Sequence, residues 1–198
     1  MHWRRKRMNQ KILVMYKSVT GFTREYAEWI AGSLEKENDC TLMELKDAAA
    51  RGISGFDTVI FGGRMHAGTV DGLKKAKELF GNSREPRFIV FATGAMPNSE
   101  EGTIAEMWSN NFSEEELSRI PHFYMQGGLR YEKMPFLEKM MMKAFAGVMK
   151  MKIKKKRDKD EKDRQFEEMI ARSYDISDKK YVRPLVECAK ADKRSREK

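Results

Sequence analysis

Three short, almost unbroken apolar runs constrain this chain most: Lys11–Tyr16 (KILVMY), Phe56–Gly62 (FDTVIFG) and Arg87–Ala92 (RFIVFA). Each is too short for a helix that buries itself, and each carries the β-branched and aromatic residues of a strand covered on both faces. Helical periodicity fills the spaces between them. Phe22 to Glu35 puts Tyr26, Ala27, Trp29, Ile30 and Leu34 on one stripe, and Val70 to Phe80 does so with Leu73, Ala76, Leu79 and Phe80. Cys40–Leu45 alternates as a half-exposed edge strand, and Ala48 to Ser54 reads as a short helical turn and loop. A helix over about Glu101–Asn110, a capping box opening at Ser113, and a fifth strand, His122–Gln126, continue the pattern. Strands alternating with helices at this spacing predict an α/β fold, a parallel sheet with helices on both faces.

Sheets of this kind bind ligands beyond the carboxyl ends of their strands. Three loops therefore matter. The first is Ser18-Val19-Thr20-Gly21-Phe22-Thr23. Its hydroxyls, its glycine and the helix that follows are what a phosphate needs: several converging donors, little steric bulk and the positive end of a helix dipole. It has neither the G-x-x-x-x-G-K-[ST] of an NTPase loop nor a G-x-G-x-x-G. The same residues also suit an ordinary strand-to-helix turn. The second loop is Gly62 to Gly68, with Arg64, Met65, His66 and Ala67; the third is Ala92 to Pro97, with Thr93, Gly94 and Ala95. Their glycines are expected to let backbone approach a flat ligand.

The first loop resembles the [ST]-x-T-G-x-T phosphate loop of flavodoxins, with Phe22 where Asn is common. Gly62–Gly68 and Phe123–Tyr131, followed by a methionine-rich basic stretch, resemble the branch related to menaquinone-dependent protoporphyrinogen oxidase. The resemblance implies a flavodoxin-like three-layer sandwich, a five-stranded parallel sheet of order 2-1-3-4-5, with a basic helical insertion after strand 5. It implies FMN as cofactor, held by Ser18–Thr23 and flanked by Arg64–Gly68 and Thr93–Ala95. It also implies an FMN-binding oxidoreductase, protoporphyrinogen-oxidase-like or quinone-linked. A flavodoxin-type electron carrier and a cofactor-free interaction module are the alternatives. No side chain need act as acid or base, so no catalytic residue is assigned. His66 is either a donor to flavin or substrate or a loop residue facing water. Arg64 either offsets charge on reduced flavin, meets a substrate carboxylate, or is solvated.

Composition bears on partners. The chain has a net charge of +9 and a pI near 9.5, whereas electron-carrier flavodoxins as a family are acidic. From Gly127 onward the composition shifts, and an insertion is expected over about 129–165. Within it, Phe136, Leu137, Met140, Met141, Ala144, Phe145, Val148 and Met149 fall along one helical stripe among lysines, and Lys152–Arg157 is a cationic run. That segment, 134–157, suits contact with an anionic membrane surface. It equally suits a lid over an apolar, carboxylate-bearing molecule such as a porphyrinogen, or a helix docked on the domain with its lysines in solvent. Nothing in it has the form of a nucleic-acid-binding fold. The chain then ends in a short helix at Gln165–Arg172 and a final one, Asp178–Ala191, capped by Ser177, with Val182, Leu185, Val186 and Ala189 inward.

Cys40 and Cys188 give no disulfide framework, and the histidines have no metal spacing. No apolar run approaches a transmembrane length, so a cytoplasmic protein is expected, at most resting on the inner face of the cell membrane. One domain over 11–191 is expected, between a basic extension, 1–10, and a frayed basic tail, 192–198. Met1 and Met8 both remain as starts.

Overall fold

A computed structural model describes residues 9–81, 86–155 and 161–191. The N-terminal extension up to residue 8, the tail 192–198, and Lys156, Arg157 and the acidic positions just after them lie outside the described residues.

Five strands form the expected parallel sheet: β1 (Lys11–Lys17), β2 (Asp39–Glu44), β3 (Thr58–His66), then β5 (Arg87–Gly94) and β6 (His122–Gln126). Their order is β2-β1-β3-β5-β6, and every neighbouring pair is parallel. A further short strand, β4 (Thr69–Val70), folds back antiparallel on β3. Alternation along β1 shows why both faces must be covered. Ile12, Val14 and Tyr16 enter one core with Tyr26, Ile30, Phe91 and Leu185, while Leu13 and Met15 enter the other with Val59, Phe61, Leu73 and Trp108. The first core lies under α1 (Phe22–Leu34) and α8 (Arg183–Lys190). The second lies under α2 (Leu45–Arg51), α3 (Leu73–Phe80) and α4 (Glu101–Asn111). The short α5 (Glu114–Arg119) starts with the full capping box of Ser113 and Glu116.

Several boundaries differ from expectation. β3 runs four residues past Gly62, because Gly63 and Arg64 keep pairing with Ala92 and Thr93 of β5. Val70 belongs to β4, so α3 begins only at Leu73. The last helix is broken: Asp178, rather than Ser177, caps a 3₁₀ turn, Lys179–Val182, and α8 follows with Pro184 in its first turn, where a missing N–H does least harm.

The excursion after β6 runs from Gly128 to Asp175. Gly128–Leu129 (β7) pairs with Tyr174–Asp175 (β8) and closes its base, and Ile176 N–H donates to Gly127 O at 2.7 Å as the chain rejoins the domain. Between these strands lie α6 (Phe136–Lys155) and α7 (Glu161–Ala171). A docked α6 would bury its apolar stripe. Instead Ile153 is its one buried residue, and Met149, expected on the stripe, is half-buried on the other face.

Candidate functional site

Parallel register brings the three expected loops to one edge of the sheet. Lys17 lies beside Gly63, Arg64 beside Thr93, and Gly94 beside Gln126. The loops after β1, β3 and β5 therefore share the carboxyl end.

The first loop has the donors an anion would need. Gly21 caps α1 in the left-handed region, φ 99°, and makes no side-chain bond to the helix, so the first-turn N–H groups are left to other acceptors. Ser18 Oγ is sealed from solvent and makes no hydrogen bond among the described residues. A buried hydroxyl without a partner is costly, and a phosphate oxygen is the acceptor it lacks. Val19 and Thr20 are half-buried between them. Thr23 is only 1% exposed, and its hydroxyl shares a 2.8 Å hydrogen bond with that of Thr93, also 1% exposed. This bond ties the first loop to the third.

Two cations overhang Gly21. A Cβ built there would sit 2.9 Å from Arg130 Nη1 and 3.8 Å from Lys133 Nζ. Arg130 stacks on the buried ring of Phe22, 3.8 Å from its centroid. It donates to Glu25 at 2.9 Å and to Asp175 at 2.6 Å, and Nη1 points at Thr20 O. Burial alone would push the Asp175 carboxyl up, but hydrogen bonds from Ser177 and Arg130 outweigh it and hold the group below its usual range. Phe22 thus does more than supply a backbone N–H: its ring is the shelf on which Arg130 rests. Sequence reasoning did not place Arg130 or Lys133 in the site. They come from the base of the insertion, more than 100 positions later; the signal available was the aromatic at position 22, a platform for a guanidinium.

The second loop is a hairpin instead of an open loop. His66 pairs with Thr69, and Ala67 (φ 48°) and Gly68 (φ 80°) make the two-residue turn between them, both left-handed as a type I′ turn requires. Asn111, at the end of α4, pins it by accepting from Val70 N–H at 2.8 Å and donating to Gly68 O at 2.9 Å. His66, Ala67 and Gly68 are exposed, Met65 half-buried. Arg64 is neither solvated nor free to meet a flavin or a carboxylate substrate. Its Nε donates to Asp71 at 2.6 Å, and its two terminal nitrogens grip both oxygens of Glu138 on α6 at 2.7 Å. The Arg64 hydrogen bonds to Glu138, with the charge beside them, outweigh burial and hold the Glu138 carboxyl below its usual range.

Three of the glycines in loops two and three, Gly62, Gly63 and Gly94, face protein atoms. A Cβ on Gly62 would lie 2.0 Å from the Phe91 ring, one on Gly63 would lie 2.5 Å from Asp71 O, and one on Gly94 would lie 2.4 Å from the Tyr124 hydroxyl. Internal packing requires them. Gly21 instead faces two cations, and Gly68, in the hairpin turn, faces open space. The third loop is held from behind: Tyr124 donates to Met96 O at 2.9 Å, Tyr174 to Ala95 O at 2.8 Å, and Asn98 and Gln126 exchange bonds. Burial pushes the Tyr174 hydroxyl up to about 12, so it stays a proton donor. No cluster of potential metal ligands occurs among the described residues.

Residues 13–160 match the sequence model of a family described as Flavodoxin domain. Among solved structures, a flavodoxin from the domain Archaea is 17% identical, over 59% of this chain and 84% of that one, with a TM-score of 0.41. Flavodoxin 2 from Bacillus cereus is 20% identical, over 71% and 99%, with a TM-score of 0.39. A flavoprotein from Lactobacillus acidophilus NCFM, solved in complex with FMN, is 16% identical, over 59% and 92%, with a TM-score of 0.36. No curated protein matches the chain.

Proposed function

The chain belongs to the flavodoxin domain family, and from that membership we propose that it binds FMN through Ser18–Thr23 and serves as an oxidoreductase exchanging electrons with a quinone or porphyrinogen-like molecule. The observation that carries the FMN reading is the unpartnered, buried Ser18 Oγ beside a left-handed Gly21 that two cations overhang. These groups suit a phosphate monoester. Lys133 adds charge to the neutral donors of the loop, Arg130 keeps Nη1 over Gly21 while bonded to Glu25 and Asp175, and Thr93 aligns Thr23 from β5. The ring would lie against Met65 to Gly68 and Thr93 to Ala95, at the ends of β3 and β5. Bound FMN supplies the redox chemistry, and the protein holds and orients it. Asn111 fixes the hairpin on one side, and Tyr124 and Tyr174 fix the third loop on the other, so both walls are rigid before a ligand arrives.

An excess of nine positive charges favours a protein with its own substrate over a carrier that docks, as acidic flavodoxins do, on basic partners. Reconstitution tests both parts. The purified protein with FMN should turn yellow and quench flavin fluorescence, and riboflavin should bind far more weakly. The reduced flavin should be reoxidised by a soluble quinone. Equal affinity for riboflavin refutes the phosphate site. A long-lived semiquinone that no quinone reoxidises favours the carrier, and failure to take up any flavin favours a cofactor-free module.

A further inference from the structure

We propose that α6 docks the protein on an anionic lipid surface, with the face it turns away from the body entering the headgroup and acyl boundary. The observation is a helix with two opposed faces. Glu138, Met142, Ala146, Met149 and Ile153, spaced four, four, three and four apart, form its half-buried inner face. Phe136, Met140, Ala144, Val148 and Met151, with the same kind of spacing, run along the opposite side, with Leu137 and Met141 beside them. That outer stripe should be polar in a surface helix of a water-soluble protein. Here Phe136 is 80% exposed, Leu137 70%, Met141 61% and Met151 62%. So much contiguous exposed apolar surface marks an interaction site.

Charge identifies the occupant. Lys139, Lys143, Lys150 and Lys154 line one border of the stripe, and α6 carries six lysines in all against the single acid Glu138. That acid is committed to Arg64. Among the lysines, Lys150 reaches Glu167 of α7 only at 3.8 Å. A second copy seated face to face would oppose lysine row to lysine row with no free carboxylate on the helix to pair them. A surface rich in anionic headgroups meets both demands at once: lysines at the phosphate level, methionines and phenylalanine below it. The surface is convex, a ridge about 30 Å long for a 20-residue helix. A deformable lipid layer fits a ridge. No described helix is long and apolar enough to cross a membrane, so α6 lies on the surface. Its first turn is bonded through Glu138 to Arg64 at the end of β3, and docking would present the carboxyl edge of the sheet near the lipid.

Vesicle co-sedimentation tests this with the full chain. Binding to phosphatidylcholine vesicles containing phosphatidylglycerol is expected, with little to phosphatidylcholine alone, and added salt should release it. Each lysine of the row changed to Gln should weaken partitioning about fivefold. The double variant M140D/V148D should abolish binding while its circular dichroism and melting stay unchanged, both positions being half exposed or more. As a second readout, tryptophan emission in Phe136→Trp should gain a blue-shifted component with anionic vesicles and be quenched by brominated lipid. Any of three results overturns the proposal: wild type staying in the supernatant with anionic vesicles, unchanged binding of M140D/V148D, or a concentration-dependent dimer that this double variant dissolves, which would make a second copy the occupant.

Discussion

Ser18→Ala should move two measurements in opposite directions, which no purely structural serine would do. Ser18 Oγ is sealed from solvent with no partner among the described residues. Removing it removes a buried, unsatisfied group and leaves a methyl that fits the same space. The folded state should gain up to about 1 kcal/mol, and at the least lose nothing. For a chain of this length that is a rise of roughly 2–4 °C in melting temperature. With FMN the sign reverses. A hydroxyl donating to a phosphate oxygen is a hydrogen bond to a charged group, worth about 1.5–3 kcal/mol, so the variant should bind FMN about 10–150-fold more weakly. Riboflavin affinity should not change, since no phosphate is there to lose a donor. Thermal melts without flavin and fluorescence titrations with both flavins supply all three numbers. A destabilised flavin-free variant would mean that Ser18 has a structural partner. FMN affinity within twofold of wild type would remove Ser18 from the phosphate site.

Three further outcomes follow from other contacts. Gly62→Ala forces a methyl to 2.0 Å from the Phe91 ring and should cost about 1–3 kcal/mol in a denaturant melt, with FMN affinity retained in the protein that folds; a neutral effect would show that Phe91 has room to turn. Thr23→Val breaks the 2.8 Å bond to Thr93 and leaves a second hydroxyl buried alone, at about 1–3 kcal/mol, readable as a lower urea midpoint with unchanged slope. The Arg64 bond depresses the Glu138 carboxyl, so the tether of α6 is at full strength above the ordinary carboxylate value of about 4.3 and weakens as pH falls through the lower folded value. Amide protection in the first turns of α6, relative to intrinsic exchange at each pH, should therefore fall below that range, and Glu138→Gln should give the same loss at neutral pH; protection that does not change with pH in wild type would mean that the helix is held by its packing alone.

What the sequence revealed of this architecture, and what it concealed, divides along one physical line. Strands and helices announce themselves through residues a few positions apart, so the five parallel strands and the Ser113 capping box are legible in the sequence. Contacts made across the fold were not. The Gly62-Gly63 pair looks the same whether backbone must clear a ligand or a neighbouring ring; here the ring of Phe91, on the adjacent strand, occupies the space. Arg64 in a glycine-bearing loop reads as a free cation, and only the position of α6 reveals that Glu138, 74 residues on, has claimed it. Arg130 is the converse case. It reads as one base among many in a cationic stretch, yet the β7–β8 pairing at the base of the insertion delivers it to Phe22 and Gly21. The insertion therefore does two separable things. Its base brings Arg130 and Lys133 over Gly21 and Phe22, and its long helix turns an apolar stripe outward. Deleting residues 134–171, which joins Lys133 to Arg172, should separate them, keeping Arg130 and FMN affinity and losing vesicle binding. Loss of both would show that α6 and α7 are needed to hold Arg130 in place, and that the two halves of the insertion work as one body.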